Sequence, residues 1–114
     1  KRIHQLTEDH TLVNILYNSG VLEKEELRHH PKRNVLMKVI SLQGESQSDV
    51  FRFRLEEGEY LLLCSDGLTD QLTNQEILEV FNQLSDPEEL GKELVKRALE
   101  TGGRDNIAVV VVKA

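Results

Sequence analysis

Tryptophan is absent from this 114-residue chain, aromatic residues make up 4% of it, and there are one cysteine and two prolines. With so few aromatics, any core must be built from Leu, Ile and Val. A lone cysteine excludes an intramolecular disulfide framework and fits a reducing compartment, so a cytoplasmic setting is expected. Positive charge is also short. The formal balance is -6, against the basic stripe that a nucleic-acid surface presents. No apolar run approaches the roughly 18 residues of a membrane span, and no signal-peptide pattern opens the chain. Repeats, low-complexity tracts and linkers are missing too. The chain opens at Lys1 directly in strand-like sequence, which reads as a piece of something longer.

What is present is the composition of a soluble domain, 39% apolar and 30% charged. "KRIHQL" alternates like the end of a strand. "TEDHTLVNILYNSG" reads as a short helix with Asp9 as N-cap, a stripe of Leu12, Val13 and Leu16, and Gly20 as its stop. "VLEKEELRHHP" reads as a second, very polar helix ended by Pro31, too poor in apolar residues to anchor firmly. "NVLMKVI" has strand propensity. "DVFRFRL" alternates strictly, with Phe51, Phe53 and Leu55 opposite Arg52 and Arg54, and predicts a half-buried strand. "EEGE" turns the chain into "YLLLC", a strand with no polar side and so expected to be buried on both faces. Thr73 and Glu76 have capping-box spacing ahead of a helix bearing Ile77, Phe81 and Leu84. Asp86-Pro87 opens another helix, with a stripe of Leu90, Leu94, Val95, Ala98 and Leu99. Gly102-Gly103 ends it, and "IAVVVV" closes the chain as a buried strand. The pattern is α+β, helices packed on one face of an antiparallel sheet.

"SDGLTD" leaves the C-terminal end of strand 60–64, and "GGRDN" precedes the N-terminal end of strand 107–112. If those strands are antiparallel neighbours, roughly 5 Å apart, both loops lie at one sheet edge and Asp66 and Asp105 come within reach of one cation. Carboxylate oxygens suit Mg²⁺ or Mn²⁺, and Mg²⁺ asks for only one or two of them plus water. Such sites activate water for attack on phosphorus. Gly67 would let backbone come close or take φ > 0, and Asn106 would orient the Asp105 loop through side-chain hydrogen bonds. On spacing alone the plainer reading is structural, because Asp-Gly and Asp-Asn are common turn formers. Two other chemistries fail sooner. A cysteine phosphatase wants Arg six positions beyond Cys64, where Asp70 stands, and Ser65 lacks the flanking glycines of a nucleophile elbow. Neither His4, His10, His29 and His30 nor Arg52 and Arg54 receive a catalytic role.

"LLLCSDGLTD" with "GGRDNIAVVVV" closely resembles the two C-terminal motifs of the metal-dependent PP2C-type protein serine/threonine phosphatases. "HQLTEDHTLVNILYNSGVL" and "HPKRNVLMKVI" resemble, in order, the preceding segments of the bacterial branch, so the resemblance covers essentially the whole chain. It implies that residues 1–114 are the C-terminal portion of one phosphatase domain, part of a sandwich of two antiparallel sheets flanked by helices. It also implies metal ligation by Asp66 and Asp105, a third and weaker metal at Asp70, and a substrate-influencing flap over residues 20–34. Two or more Mg²⁺ or Mn²⁺ ions, phosphoprotein substrates and an opposing Ser/Thr kinase pathway follow from it, with neither nucleic acid nor membrane as partner. The chain departs from the family in having no counterpart of the N-terminal DGxGG-type motif with its metal-bridging Asp. It also has Lys38 to Ser41, "KVIS", where the bacterial pattern reads close to "RALG". The fragment alone is therefore expected to bind metal weakly, to be inactive, and to form a homodimer or associate with the missing N-terminal half. A non-catalytic binding or regulatory module of the same family is the alternative.

Overall fold

The computed structural model describes residues 1–33, 36 and 48–114. In chain order the elements are α1 (Leu12–Asn18), α2 (Lys24–Leu27), β1 (Tyr60–Cys64), α3 (Asp66–Thr69), α4 (Asn74–Gln83), α5 (Pro87–Glu100) and β2 (Val109–Lys113). They fall into two compact units, one of Lys1–His4 with Phe53–Ala114, the other of Gln5–Arg52. The "NVLMKVI" strand and the Lys38 to Ser41 departure lie outside the described residues, except that Leu36 makes an isolated antiparallel bridge with Thr11.

In the larger unit β1 and β2 pair antiparallel, with Tyr60 opposite Lys113 and Cys64 opposite Val109. Because strand side chains alternate, Tyr60, Leu62, Val109 and Val111 share one face, which packs on the helices. α4 begins with the expected capping box: Glu76 N–H donates to the Thr73 hydroxyl at 3.2 Å, and Thr73 N–H donates to the Glu76 carboxylate at 3.2 Å. It buries Ile77, Val80 and Phe81. α5 is capped by Asp86, whose carboxylate accepts from Glu89 N–H at 3.1 Å. Pro87 stands at its first position, where a missing N–H leaves nothing unpaired. Leu90, Leu94 and Ala98, four residues apart, form its buried stripe, while Leu99 is exposed. Gly102 and Gly103 end the helix with φ of 137° and 50°.

The opposite sheet face is open, which corrects the expectation that β1 is buried on both sides and that β2 is a buried strand. Leu63 and Val110, facing each other across the ladder, are 51% and 57% exposed. Residues 49–55 form no strand either, despite their alternation, and Phe51 and Phe53 are 46% and 48% exposed. Among the described residues the sheet consists of β1 and β2 alone. Residues 1–6 form no strand either.

Among the described residues of the smaller unit, Val13 alone is buried. α1 starts two residues later than the sequence suggests: Thr11, not Asp9, is the N-cap, accepting from Asn14 N–H at 3.3 Å. Asp9 instead accepts from the Gln5 amide at 3.0 Å. Gly20, with φ 83°, lets the chain reverse so that Val21 N–H reaches the Leu16 carbonyl at 2.9 Å. Val13 is the buried residue of α1, and α2 buries none. α2 spans a single turn and ends at Leu27, four residues short of Pro31.

A candidate metal site where two loops meet

Antiparallel pairing sets the site. Since Cys64 is opposite Val109, the chain leaving β1 and the chain entering β2 lie side by side at one end of the sheet. Ser65 N–H extends the ladder by one bond, to the Ala108 carbonyl at 2.9 Å. Its hydroxyl then makes two more, donating to the Asn106 carbonyl at 3.2 Å and accepting from Ala108 N–H at 3.0 Å.

Beyond Ser65 the chain does not form the simple turn that Asp-Gly suggests; it winds into α3. Leu68 N–H donates to the Ser65 carbonyl at 3.1 Å and Asp70 N–H to the Asp66 carbonyl at 2.8 Å. Leu68, fully buried, pins this turn into the core. Gly67 is buried as well, and its conformation is not left-handed. What requires glycine there is proximity: a Cβ would fall 2.1 Å from the Asn106 carbonyl oxygen and 3.0 Å from its carbon. Of the two roles the sequence allows Gly67, close approach is the one the fold uses.

Asp66 heads α3 and is exposed, and Asp105 is exposed on the facing loop. The residue after Asp66 touches the residue after Asp105, so the two carboxylate-bearing loops abut. The Asp105 carboxylate accepts from Asn106 N–H at 2.7 Å, which ties the side chain to its own loop. Asn106 contributes its backbone N–H to Asp105 and its carbonyl to the Ser65 hydroxyl. Asp70 caps the end of α3, one turn from Asp66. Among the described residues no three His, Cys, Asp or Glu side chains converge closely enough to hold a metal ion, so Asp66, Asp105 and Asp70 do not form a three-ligand cluster. Two exposed carboxylates on touching loops nevertheless fit a hard cation that keeps most of its water, which is the habit of Mg²⁺.

Two of the histidines have partners elsewhere. His10 Nε2 meets the Asp49 carboxylate at 2.7 Å, and His30 Nδ1 accepts from Lys32 N–H at 3.0 Å within a turn. The residue that sequence reasoning passed over is Ser65. Dismissed as a nucleophile, it had one remaining signal, its place immediately before the acidic turn.

Residues 6–114 match the family described as stage II sporulation protein E. The protein phosphatase PhpP of Streptococcus pneumoniae is 41% identical over 109 residues, covering 96% of this chain and 44% of that protein. The crystal structure of the serine/threonine phosphatase Stp1 of Staphylococcus aureus superposes with a TM-score of 0.92 at 35% identity, over 100% of this chain and 45% of that one. The catalytic domain of the serine/threonine phosphatase PstP, solved in complex with two manganese ions, superposes with a TM-score of 0.79 at 32% identity, over 96% and 44%. The chain thus spans about half the length of the relatives it matches. Across nearly all of its residues, and with both acidic loops brought to one end of the sheet, it belongs to the SpoIIE/PP2C-type phosphatase domain family.

Proposed function

We propose that this chain is the C-terminal part of a metal-dependent protein phosphatase acting on phosphoserine and phosphothreonine, with Asp66 and Asp105 as its contribution to a Mg²⁺ or Mn²⁺ centre. The observation that carries the proposal is the contact of Gly67 with the Asn106 carbonyl, which holds the two carboxylate-bearing loops against each other. Bound divalent metal supplies acidity to water and neutralises charge developing on the phosphoryl group. The residues of this chain hold and orient. Asp66 projects from a turn anchored by Leu68, and Asp105 is steadied by its bond to Asn106 N–H. Asp70, one turn beyond Asp66, takes the role of an accessory ligand to a further, weaker ion. Residues 20–34, which include the sparsely packed α2, act as a flap governing which phosphoprotein enters. The cellular setting is cytoplasmic, opposite a Ser/Thr kinase, and the described residues contain no helix long and apolar enough to cross a membrane.

Two carboxylates without a third protein ligand make a weak site, so the chain alone binds metal loosely and does not turn over substrate. The test is calorimetric titration of Mn²⁺ into this chain and its Asp66→Asn variant, each also assayed with p-nitrophenyl phosphate. The expected result is weak binding to the parent, none to the variant, and no hydrolysis by either. Binding by neither protein would favour a non-catalytic module of the same family, and hydrolysis by the isolated chain would overturn the split-site account.

The open sheet face around Leu63 and Val110 is an apolar surface without a partner among the described residues. Exposed apolar patches drive association, so the chain is expected to self-associate or to capture a complementing N-terminal half. Static light scattering should show mass rising with concentration, and Val110→Lys should suppress the rise. A parent chain that stays monomeric at every concentration would refute self-association.

A further inference from the structure

We infer that Ser65 is a positioning residue for the metal site, its hydroxyl acting as the latch that sets the Asp66 loop against the Asp105 loop. The inference rests on the metal reading above and adds to it a residue that no ligand role accounts for. Ser65 stands at the N-cap of α3, where a serine oxygen ordinarily accepts a hydrogen bond from the first helical turn. It makes no such bond. Its single proton goes to the Asn106 carbonyl at 3.2 Å, and its oxygen accepts from Ala108 N–H at 3.0 Å. The hydroxyl has thus left its own helix to grip both ends of the facing dipeptide step.

The placement explains why this grip matters more for geometry than for folding. Ser65 directly precedes Asp66, and Asn106 directly follows Asp105, so the latch joins the immediate neighbours of the two carboxylates. The β1–β2 ladder holds the strands together without it. Asn106 and Ala108 are exposed, so water can satisfy the groups that the hydroxyl would release. Losing the hydroxyl should therefore leave the fold largely intact while letting the loops drift. Partners that orient metal ligands typically govern metal affinity, their loss costing about 10–100-fold. Threonine keeps one donor and one acceptor at the same place and can close the latch, whereas alanine can do neither.

The experiment compares the parent chain with Ser65→Ala, Ser65→Thr and Thr73→Ala. Mn²⁺ affinity is read by electron paramagnetic resonance of the free ion, and thermal stability by circular dichroism. Thr73→Ala removes the α4 cap and supplies a destabilised reference that leaves both loops untouched. Ser65→Ala is expected to weaken Mn²⁺ binding by about 10-fold or more with a smaller fall in melting temperature than Thr73→Ala causes, and Ser65→Thr is expected to restore the affinity. Unchanged affinity in Ser65→Ala, a loss no greater than that of Thr73→Ala, or failure of Ser65→Thr to rescue would each overturn the latch while leaving the metal reading standing. A parent chain that binds no Mn²⁺ would overturn both.

Discussion

Gly67→Ala is expected to lower stability by about 1–3 kcal/mol, the usual range for forcing a methyl group into filled space, and to abolish Mn²⁺ binding. Intrinsic helix preference points the other way, since Ala in a helix is favoured over Gly by about 1 kcal/mol. Gly67 lies in α3 without a left-handed conformation, so nothing in the backbone itself resists the change. The contact decides the sign. A Cβ at 2.1 Å from the Asn106 carbonyl oxygen meets main chain, which has no rotamer through which to withdraw. Relief requires the Asp105 loop to move away from the Asp66 loop, the separation that a shared cation cannot tolerate. Gly91→Ala, in α5, is the internal control. Its Cβ would meet only a Val109 methyl at 3.7 Å, an ordinary contact, so that variant should gain up to about 1 kcal/mol. Urea denaturation of both variants, with Mn²⁺ titration, checks the pair. Equal or higher stability for Gly67→Ala would show that the loops are not in contact in solution.

Leu68→Ala should destabilise the chain by about 2–5 kcal/mol, as large-to-small changes at fully buried leucines do. Leu68 has no exposed surface and lies in the cluster that joins α3, α4, α5 and the inner sheet face. Domains have only about 5–15 kcal/mol in hand, and this core is small, so the variant should be partly unfolded at physiological temperature. Leu94→Ala, equally buried in α5, should cost a similar amount. The two separate in the cold, where both are folded. Leu68 pins the turn that carries Asp66, so Leu68→Ala should also weaken Mn²⁺ binding, and Leu94→Ala should not. Circular dichroism melts and a low-temperature Mn²⁺ titration measure these effects. Parallel loss of affinity in both variants would mean that global loosening, not the Asp66 turn, governs the site.

Local chemistry made part of this molecule legible before any coordinates. The α4 capping box, the Asp86-Pro87 start of α5, the glycine stop after it and the Glu56–Glu59 turn rest on interactions between residues a few positions apart. The composition of the "YLLLC" and "IAVVVV" runs marked strands, and their order placed Asp66 and Asp105 at one end of the sheet once antiparallel pairing was assumed. The motifs around those two residues pointed to the family through side-chain identity and spacing, both of which are written in the chain.

Other features depended on what meets across the fold. "DVFRFRL" has the alternation of a strand and is none, because alternation describes a face and does not by itself make a strand. "YLLLC" is apolar throughout, yet one of its faces is open, because burial is a property of the partner and not of the residue. Gly67 could have served a left-handed turn or a close approach, and only the Asn106 carbonyl against its Cα decided which. Asp9 was the cap expected from the sequence, and the chain caps α1 with Thr11 instead. Ser65 carried no motif of its own. Its function as a latch depends on two backbone groups 41 and 43 residues further along the chain. Sequence by itself determined which motifs point to the family and where α4 and α5 begin, since side-chain identity, short-range sterics and hydrogen bonding suffice for that. Tertiary structure alone decided which loops touch and which apolar faces are covered, because those depend on pairings between segments far apart in the chain.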